Sequence, residues 1–269
     1  MIPLSDEASG KSLDFYKKEL GKVPKSVWGH SDLEWLNLAD NGLRSISSAI
    51  GNLVNLTMLD LGHNRLASLP DSLGKLTQLK FLYLSNNRLR SVPAPLWRLK
   101  SLVYLNITDN QLTSLPDEVG NLSNLIELRL YNNLLTSLPE SIGHLQSLRE
   151  LHVMGNQLAF LPGSFGRLKN LRKLMLEGNK LESLLETLGG LKHLTDLDLR
   201  NNRLKEIPNS IGKLKHLRFL DLRANRLTKL PASIVKLENL EKLDLRWNQS
   251  LALPKWLAKL EERGCIVYT

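Results

Sequence analysis

The stretch LDLRNNRL, residues 197 to 204, places Leu197, Leu199 and Leu204 at fixed intervals and fills the gaps with Asp198, Arg200, Asn201, Asn202 and Arg203. The spacing recurs. LDLGHNRL begins at Leu59, LYLSNNRL at Leu82, LNITDNQL at Leu105, LRLYNNLL at Leu128, LHVMGNQL at Leu151, LMLEGNKL at Leu174 and LDLRANRL at Leu220. One asparagine marks each unit: Asn41, Asn64, Asn87, Asn110, Asn133, Asn156, Asn179, Asn202, Asn225 and Asn248. Every interval is 23 residues, without insertion or deletion. A fixed period of this size is the signature of a solenoid, in which each unit contacts only its neighbours.

The repeating pattern is L-x-x-L-x-L-x-x-N-x-L followed by L-P-x-x-I/L-G-x-L. It resembles that of leucine-rich repeat proteins, and is similar to the 23-residue repeats of Ras-group-related plant proteins, Scribble-type scaffolds and bacterial leucine-rich repeat proteins. The resemblance covers nearly the whole chain. It implies an α/β leucine-rich repeat solenoid, a curved horseshoe with a parallel β-sheet on the concave face and short helical or 3-10 turns on the convex face. The expected division is an N-terminal cap with a degenerate repeat over 1–32, ten repeats over 33–254, and a C-terminal capping helix and final strand over 255–269. The fold is expected to be complete, with no appended catalytic domain.

Residue directions follow from the period. Leu197 and Leu199 lie two apart, so on a strand they share a face and enter the core. Asn202 turns inward where the strand ends, where its amide can serve backbone groups that no ladder satisfies. Pro70 in LPDSLGKL suits the first position of a helical turn, and Leu73 and Leu76 return to the core. Ser47 and Leu185 replace that proline, and Ser250 takes a leucine position beside Leu251; local irregularity is expected at all three. In the starting repeat, Leu13, Phe15 and Leu20 match the leucine positions, and Lys18 stands where asparagine would be. PKWLAKLEER reads as a capping helix and CIVYT as a final strand.

Composition narrows the function. The chain has 269 residues, 42% of them hydrophobic, and a formal charge of +9. Its single cysteine, Cys265, excludes an intrachain disulfide. The start of the chain lacks a charged-then-apolar signal pattern. No apolar run approaches the roughly 18 residues that would span a bilayer. The expected compartment is the cytosol, with an effector exported without a cleaved signal as the alternative. The sequons at Asn55, Asn106, Asn121 and Asn248 read as chance, since Asn248 belongs to the inward column. No phosphate-binding glycine loop, metal-ligand spacing or nucleophile–base set is present. The expectation is therefore no enzyme, no cofactor and no small-molecule substrate. His193 and His216 share a column with Asn124, Asn170 and Asn239, and read as turn residues.

Basic residues gather in two convex columns: Lys75, Arg98, Lys100, Arg167, Lys169, Lys192, Lys213, Lys215, Lys236 and Lys259, against Glu238 and Glu261. Acids at Asp71, Asp117, Glu118, Glu140 and Glu186 open the same turns, as the helix dipole favours, and Asp71 and Lys75 are spaced as an i, i+4 pair. A solvated, dipole-matched face is the first reading and an anionic-surface binder the alternative. The absence of interleaved aromatics argues against nucleic acid, and a membrane surface is not expected.

Candidate site residues lie between the strand leucines. Trp35, Met58, Phe81 and Tyr104 fall in one outward column with Tyr83 beside them, and exposed aromatics mark contact sites. The alternative is that the N-terminal cap folds over them. Arg129, Tyr131 and His152 continue the face. Asp198, Asp221 and Asp244 form one column and Arg200, Arg223 and Arg246 the next, either as a self-satisfied network or as recognition residues, with Asp198 and Arg200 open to a partner. The expected function is a monomeric protein–protein interaction module binding an unidentified protein on its concave face. An effector-like recognition subunit whose activity lies in a partner is the alternative.

Overall fold

A computed structural model describes residues 11–269. Each of the ten repeats, the starting repeat before them and the final segment contributes one three-residue strand. In chain order these are Ser12–Asp14, Trp35–Asn37, Met58–Asp60, Phe81–Tyr83, Tyr104–Asn106, Glu127–Arg129, Glu150–His152, Lys173–Met175, Asp196–Asp198, Phe219–Asp221, Lys242–Asp244 and Ile266–Tyr268, β1 to β12. They form one parallel sheet in sequence order. Equivalent residues pair directly, so Leu36 faces Leu59 and Leu59 faces Leu82. That register stacks the leucines into continuous buried columns; Leu36, Leu38, Leu59, Leu61, Leu82 and Leu84 are all fully buried. The chain is a leucine-rich repeat solenoid.

The asparagine column ties each repeat to the one before it. Asn64 Oδ1 accepts the backbone N–H of Asn41 at 3.1 Å and of Leu43 at 2.9 Å. Its Nδ2 donates to the carbonyls of Leu38 and Leu61, both at 3.0 Å. Buried amides left unpaired would be costly, and this arrangement satisfies them across two repeats at once. The first link holds although Lys18 replaces asparagine, because Asn41 Oδ1 accepts the Lys18 N–H at 3.0 Å.

The residue before each ladder asparagine adopts a left-handed backbone. Asp40, His63, Asn86, Asp109, Asn132 and Asn201 lie at φ of 52° to 55°, and Gly155 and Gly178 at 61° and 68°. Asn, Asp and Gly tolerate this region at little cost. Ala224 and Trp247 adopt it too, as does Lys17 in the starting repeat.

The convex turns are 3-10 helices of five residues, such as Glu140–His144 and Gly163–Arg167. In most of these turns the fourth residue is glycine, with Trp28, Trp97 and Val235 the exceptions, and at Gly143 the stacking requires it. A Cβ at Gly143 would lie 2.6 Å from the Ser164 carbonyl oxygen and 2.7 Å from Ser164 Cβ.

Several local expectations change. The turns after Ser47 and Leu185 are as regular as the rest, spanning Ser48–Asn52 and Glu186–Gly190. The Ser47 hydroxyl accepts the Ala49 N–H at 3.2 Å, and Leu185 adopts the same extended backbone as the prolines. Irregularity is confined to the last repeat, where Leu251 packs on the core and Leu253 is exposed. Among the described residues Asp71 and Lys75 form no ion pair, because a 3-10 turn aligns i with i+3 rather than i+4. Two of the acids instead reach forward. Glu140 accepts the N–H groups of Gly163 and Ser164 at 2.9 and 2.8 Å, and Glu186 those of Asn209 and Ser210. Those hydrogen bonds hold the Glu140 carboxyl below its usual value. The final segment forms a shorter helix than expected, Lys255–Leu257 as 3-10 and Ala258–Glu261 as α, before β12. Of the expected N-terminal cap over 1–32, residues 1–10 lie outside the described residues.

Candidate functional site

Parallel register carries the outward residues into rows across the strand face. Trp35 sits opposite Met58, Met58 opposite Phe81, and Phe81 opposite Tyr104. The four, with Tyr83, are half-buried against one another. The Tyr83 and Tyr104 rings lie 5.0 Å apart, and the Arg129 guanidinium is 5.6 Å from the Tyr104 ring centre. Burial pushes the Tyr104 hydroxyl up to about 12. Ser12 of β1 pairs with Trp35, so the starting repeat borders the row.

The middle of the face is ionic. Glu127 lies opposite Glu150, and Arg129 opposite His152. Arg129 Nε donates to Glu127 Oε1 at 2.5 Å, and Lys173 Nζ lies 3.0 Å from Glu150 Oε1. His152 Nε2 lies 3.1 Å from Glu150 Oε2 and 4.0 Å from Glu127 Oε1. Burial lowers the His152 value despite Glu150 beside it. Glu127, Glu150 and His152 bring three metal-competent atoms within 4.8 Å of one another. Both carboxylates, however, are already paired with Arg129 and Lys173. Tyr131, two residues beyond Arg129, is half-buried on the same face.

Toward the C-terminal end the Asp and Arg columns form one network. Arg200 Nη2 meets Glu177 at 2.5 Å and Asp198 at 2.9 Å, and its Nε lies 3.7 Å from Asp221. Arg223 bonds Asp221 at 2.6 Å and lies 3.5 Å from Asp244. Arg246 bonds Asp244 at 2.7 Å. The layer has depth: the Asp244 side chain is 0% exposed, whereas that of Arg246 is 37% exposed. Burial raises the Asp198 carboxyl. Burial would also raise Asp244, but the Arg246 side chain and backbone N–H, with the charge of Arg223, hold it below its usual value. Asp198, expected to be open to a partner, is buried. Its carboxylate accepts the Arg200 backbone N–H at 3.1 Å and orients the guanidinium outward. Asp244 is buried in the same way.

Three aromatic residues outside the sequence-based site stand out at this end. Phe219, Trp247 and Tyr268 are exposed, Trp247 to 66%. Trp247 carries the guanidiniums of Arg223 and Arg246 at 5.9 and 5.6 Å from its ring centre, and Arg246 also lies 4.8 Å from the Tyr268 ring. A bulky side chain at φ 64° is an outlier. Such backbone strain costs about 1–3 kcal/mol, partly offset by exposed cation–π contacts of about 0.5–1 kcal/mol each. A visible signal existed. The column before the ladder asparagine reads Asp, His, Asn, Asp, Asn, Gly, Gly, Asn, Ala, Trp.

On the convex side, His193 Nδ1 and His216 Nδ1 donate to the Lys169 and Lys192 carbonyls at 2.7 and 2.8 Å, as Asn124 Nδ2 does to Lys100. They are turn residues. Cys265 is a buried free thiol whose value burial raises. Among the described residues no helix is long and apolar enough to cross a membrane.

The comparisons agree with this geometry. The family model for a leucine-rich repeat region matches residues 93–198 and 177–262, and that for a leucine rich repeat matches 31–89. The chain belongs to the leucine-rich repeat family. No curated protein sequence matches it. Among solved structures it is similar to the Arabidopsis receptor kinase HAESA, in complex with the peptide hormone IDA and the co-receptor SERK1: 34% identity over 86% of this chain and 42% of that one, TM-score 0.72. It is also similar to the Arabidopsis thaliana GASSHO1/SCHENGEN3 ectodomain in complex with Casparian strip integrity factor 2: 33% identity, 83% and 31% coverage, TM-score 0.73. InlJ from Listeria monocytogenes gives 25% identity, 90% and 52% coverage and TM-score 0.76. The chain thus spans about a third to a half of the length of these three proteins.

Proposed function

We propose that this chain is a non-enzymatic protein-interaction module that takes a protein partner across its strand face. One observation carries the reading: a half-buried row of large apolar side chains, Trp35, Met58, Phe81 and Tyr104, runs without a break into an ordered ionic surface on the same twelve-stranded sheet. Aromatic anchors next to oriented charge suit recognition. The family, and neighbours solved with a peptide hormone and a protein factor, support a protein partner in kind. The reading assigns no cofactor and no small-molecule substrate, and takes the chain as a monomer. The test is a pull-down from native lysate with the wild-type chain and with Phe81→Ala/Tyr104→Ala. A partner retained by the wild type and lost by a folded double variant is the expected result. Equal capture by both overturns the reading. The same reading takes the cytosol as the compartment, with export lacking a cleaved signal as the alternative; protease protection in fractionated cells checks this.

A further inference from the structure

The ladder fixes the backbone before every asparagine whatever residue stands there. Ala224 N–H still donates to the Arg246 carbonyl at 3.0 Å, and Asn248 Nδ2 still donates to Leu245 and Leu222 at 2.8 and 3.0 Å. For folding alone, Asn or Gly is the fitting residue at position 247, as at 132, 155, 178 and 201. Trp247 is the least suited, and it is 66% exposed, so the strain is not returned by burial. Backbone strain at an exposed aromatic side chain points to a role outside folding.

Its surroundings say what it meets. Arg223 and Arg246 flank the indole, and Arg246 and Lys242 lie 4.8 and 5.1 Å from the Tyr268 ring. Asp244 lies beneath Arg246, its side chain 0% exposed against 37% for the arginine, whereas Arg223 is bonded side by side to the equally half-buried Asp221 through both Nε and Nη2. The outermost groups here are therefore the Arg246 guanidinium and the rings of Trp247 and Tyr268.

We propose that Trp247, framed by Arg223, Arg246 and Tyr268, is an anchor for an acidic protein segment that places an apolar side chain on the indole and a carboxylate on the Arg246 guanidinium. This rests on the strand-face reading above and extends it to the last repeats, with a defined partner chemistry.

The test is selection of a displayed library of random peptides, about 12 residues long so that an extended one reaches across several strands, on the intact chain. The enriched peptides should be net acidic with an apolar residue. Trp247→Asn should weaken their binding by at least about tenfold, as loss of an aromatic anchor does, while its thermal midpoint equals or exceeds the wild-type value because the strain is relieved. Enrichment of basic peptides, no enrichment of acidic ones, binding to Trp247→Asn within about twofold of wild type, or a lowered midpoint overturns the proposal. So does an oligo-dT probe that binds the wild type and loses affinity in Trp247→Asn. Phe81→Ala/Tyr104→Ala separates the two readings. Peptides lost by that variant and not by Trp247→Asn sink the Trp247 anchor alone, and peptides lost by neither sink both.

Discussion

Asn133 Oδ1 accepts the backbone N–H of Leu112, one repeat upstream, at 3.0 Å. Its Nδ2 reaches the Ile107 and Leu130 carbonyls at 2.9 and 3.0 Å. Asn133→Ala orphans these buried groups and is expected to destabilise the chain by about 1–3 kcal/mol. Urea unfolding reads this as a lower midpoint at an unchanged slope. An unchanged midpoint would refute the structural role of the column.

Gly143 is required by contact with backbone, which no rotamer can relieve. Gly143→Ala is expected to cost about 1–3 kcal/mol through overpacking against Ser164. Gly163→Ala is the control, since its Cβ would meet only the Glu140 carboxylate at 3.6 Å. Thermal midpoints of the two variants should separate clearly, and coincident midpoints would show that the turns are not stacked this tightly.

His152 ties stability to pH. Its folded value lies below the unfolded value of about 6.5. The unfolded chain therefore binds the proton more readily than the fold. The contribution is fully present above about 6.5 and is lost as pH falls through that value toward the depressed folded one. His152→Gln should flatten the stability profile between about pH 7 and pH 5. Denaturant midpoints across that window check it, and an unaltered profile would dismiss the role of burial.

The two halves of the face should differ in kinetics once a partner is in hand. Phe81→Ala/Tyr104→Ala should raise the dissociation rate, at about 2 kcal/mol or more. Asp221→Lys/Arg223→Glu should mainly change the association rate and its salt dependence. Surface plasmon resonance at two ionic strengths separates these effects. A purely dissociative effect of the charge swap would count against the division.

The convex lysines are expected to be passive in recognition. Lys215 Nζ is already occupied by the Lys236 carbonyl at 2.7 Å and by Glu238 at 3.4 Å. Lys213→Glu/Lys215→Glu should leave partner affinity unchanged. Strong wild-type binding to anionic vesicles at physiological salt that this folded variant loses would instead make the convex face the site.

The repeat length, strand order and inward asparagines were legible in residues 197 to 204 because one short unit, copied in register, determines the next. Three things were not. Asp198 was read as outward because strand alternation puts it there, but its carboxylate folds back onto the Arg200 N–H beneath the guanidinium. That position depends on side-chain geometry, which alternation does not specify. Glu140 was matched to its own turn, whereas its partners Gly163 and Ser164 lie one repeat on, a pairing that only the stacking distance reveals. Trp247 was hidden for another reason. Its column carries a backbone requirement rather than a hydrophobic one, so the leucine and asparagine periodicity does not mark it.

The uninterrupted register makes the sheet a ruler. From the strand holding Trp35 to the strand preceding Trp247 there are nine steps of about 4.8 Å, a span on the order of 40 Å. An extended chain covers about 3.3–3.6 Å per residue, so about 12 residues are the least that bridge the two ends. A shorter ligand can hold one end or the other. Trimming a bridging ligand residue by residue should therefore lower its affinity in two separate drops, as each tethered foothold is released, rather than in an even decline.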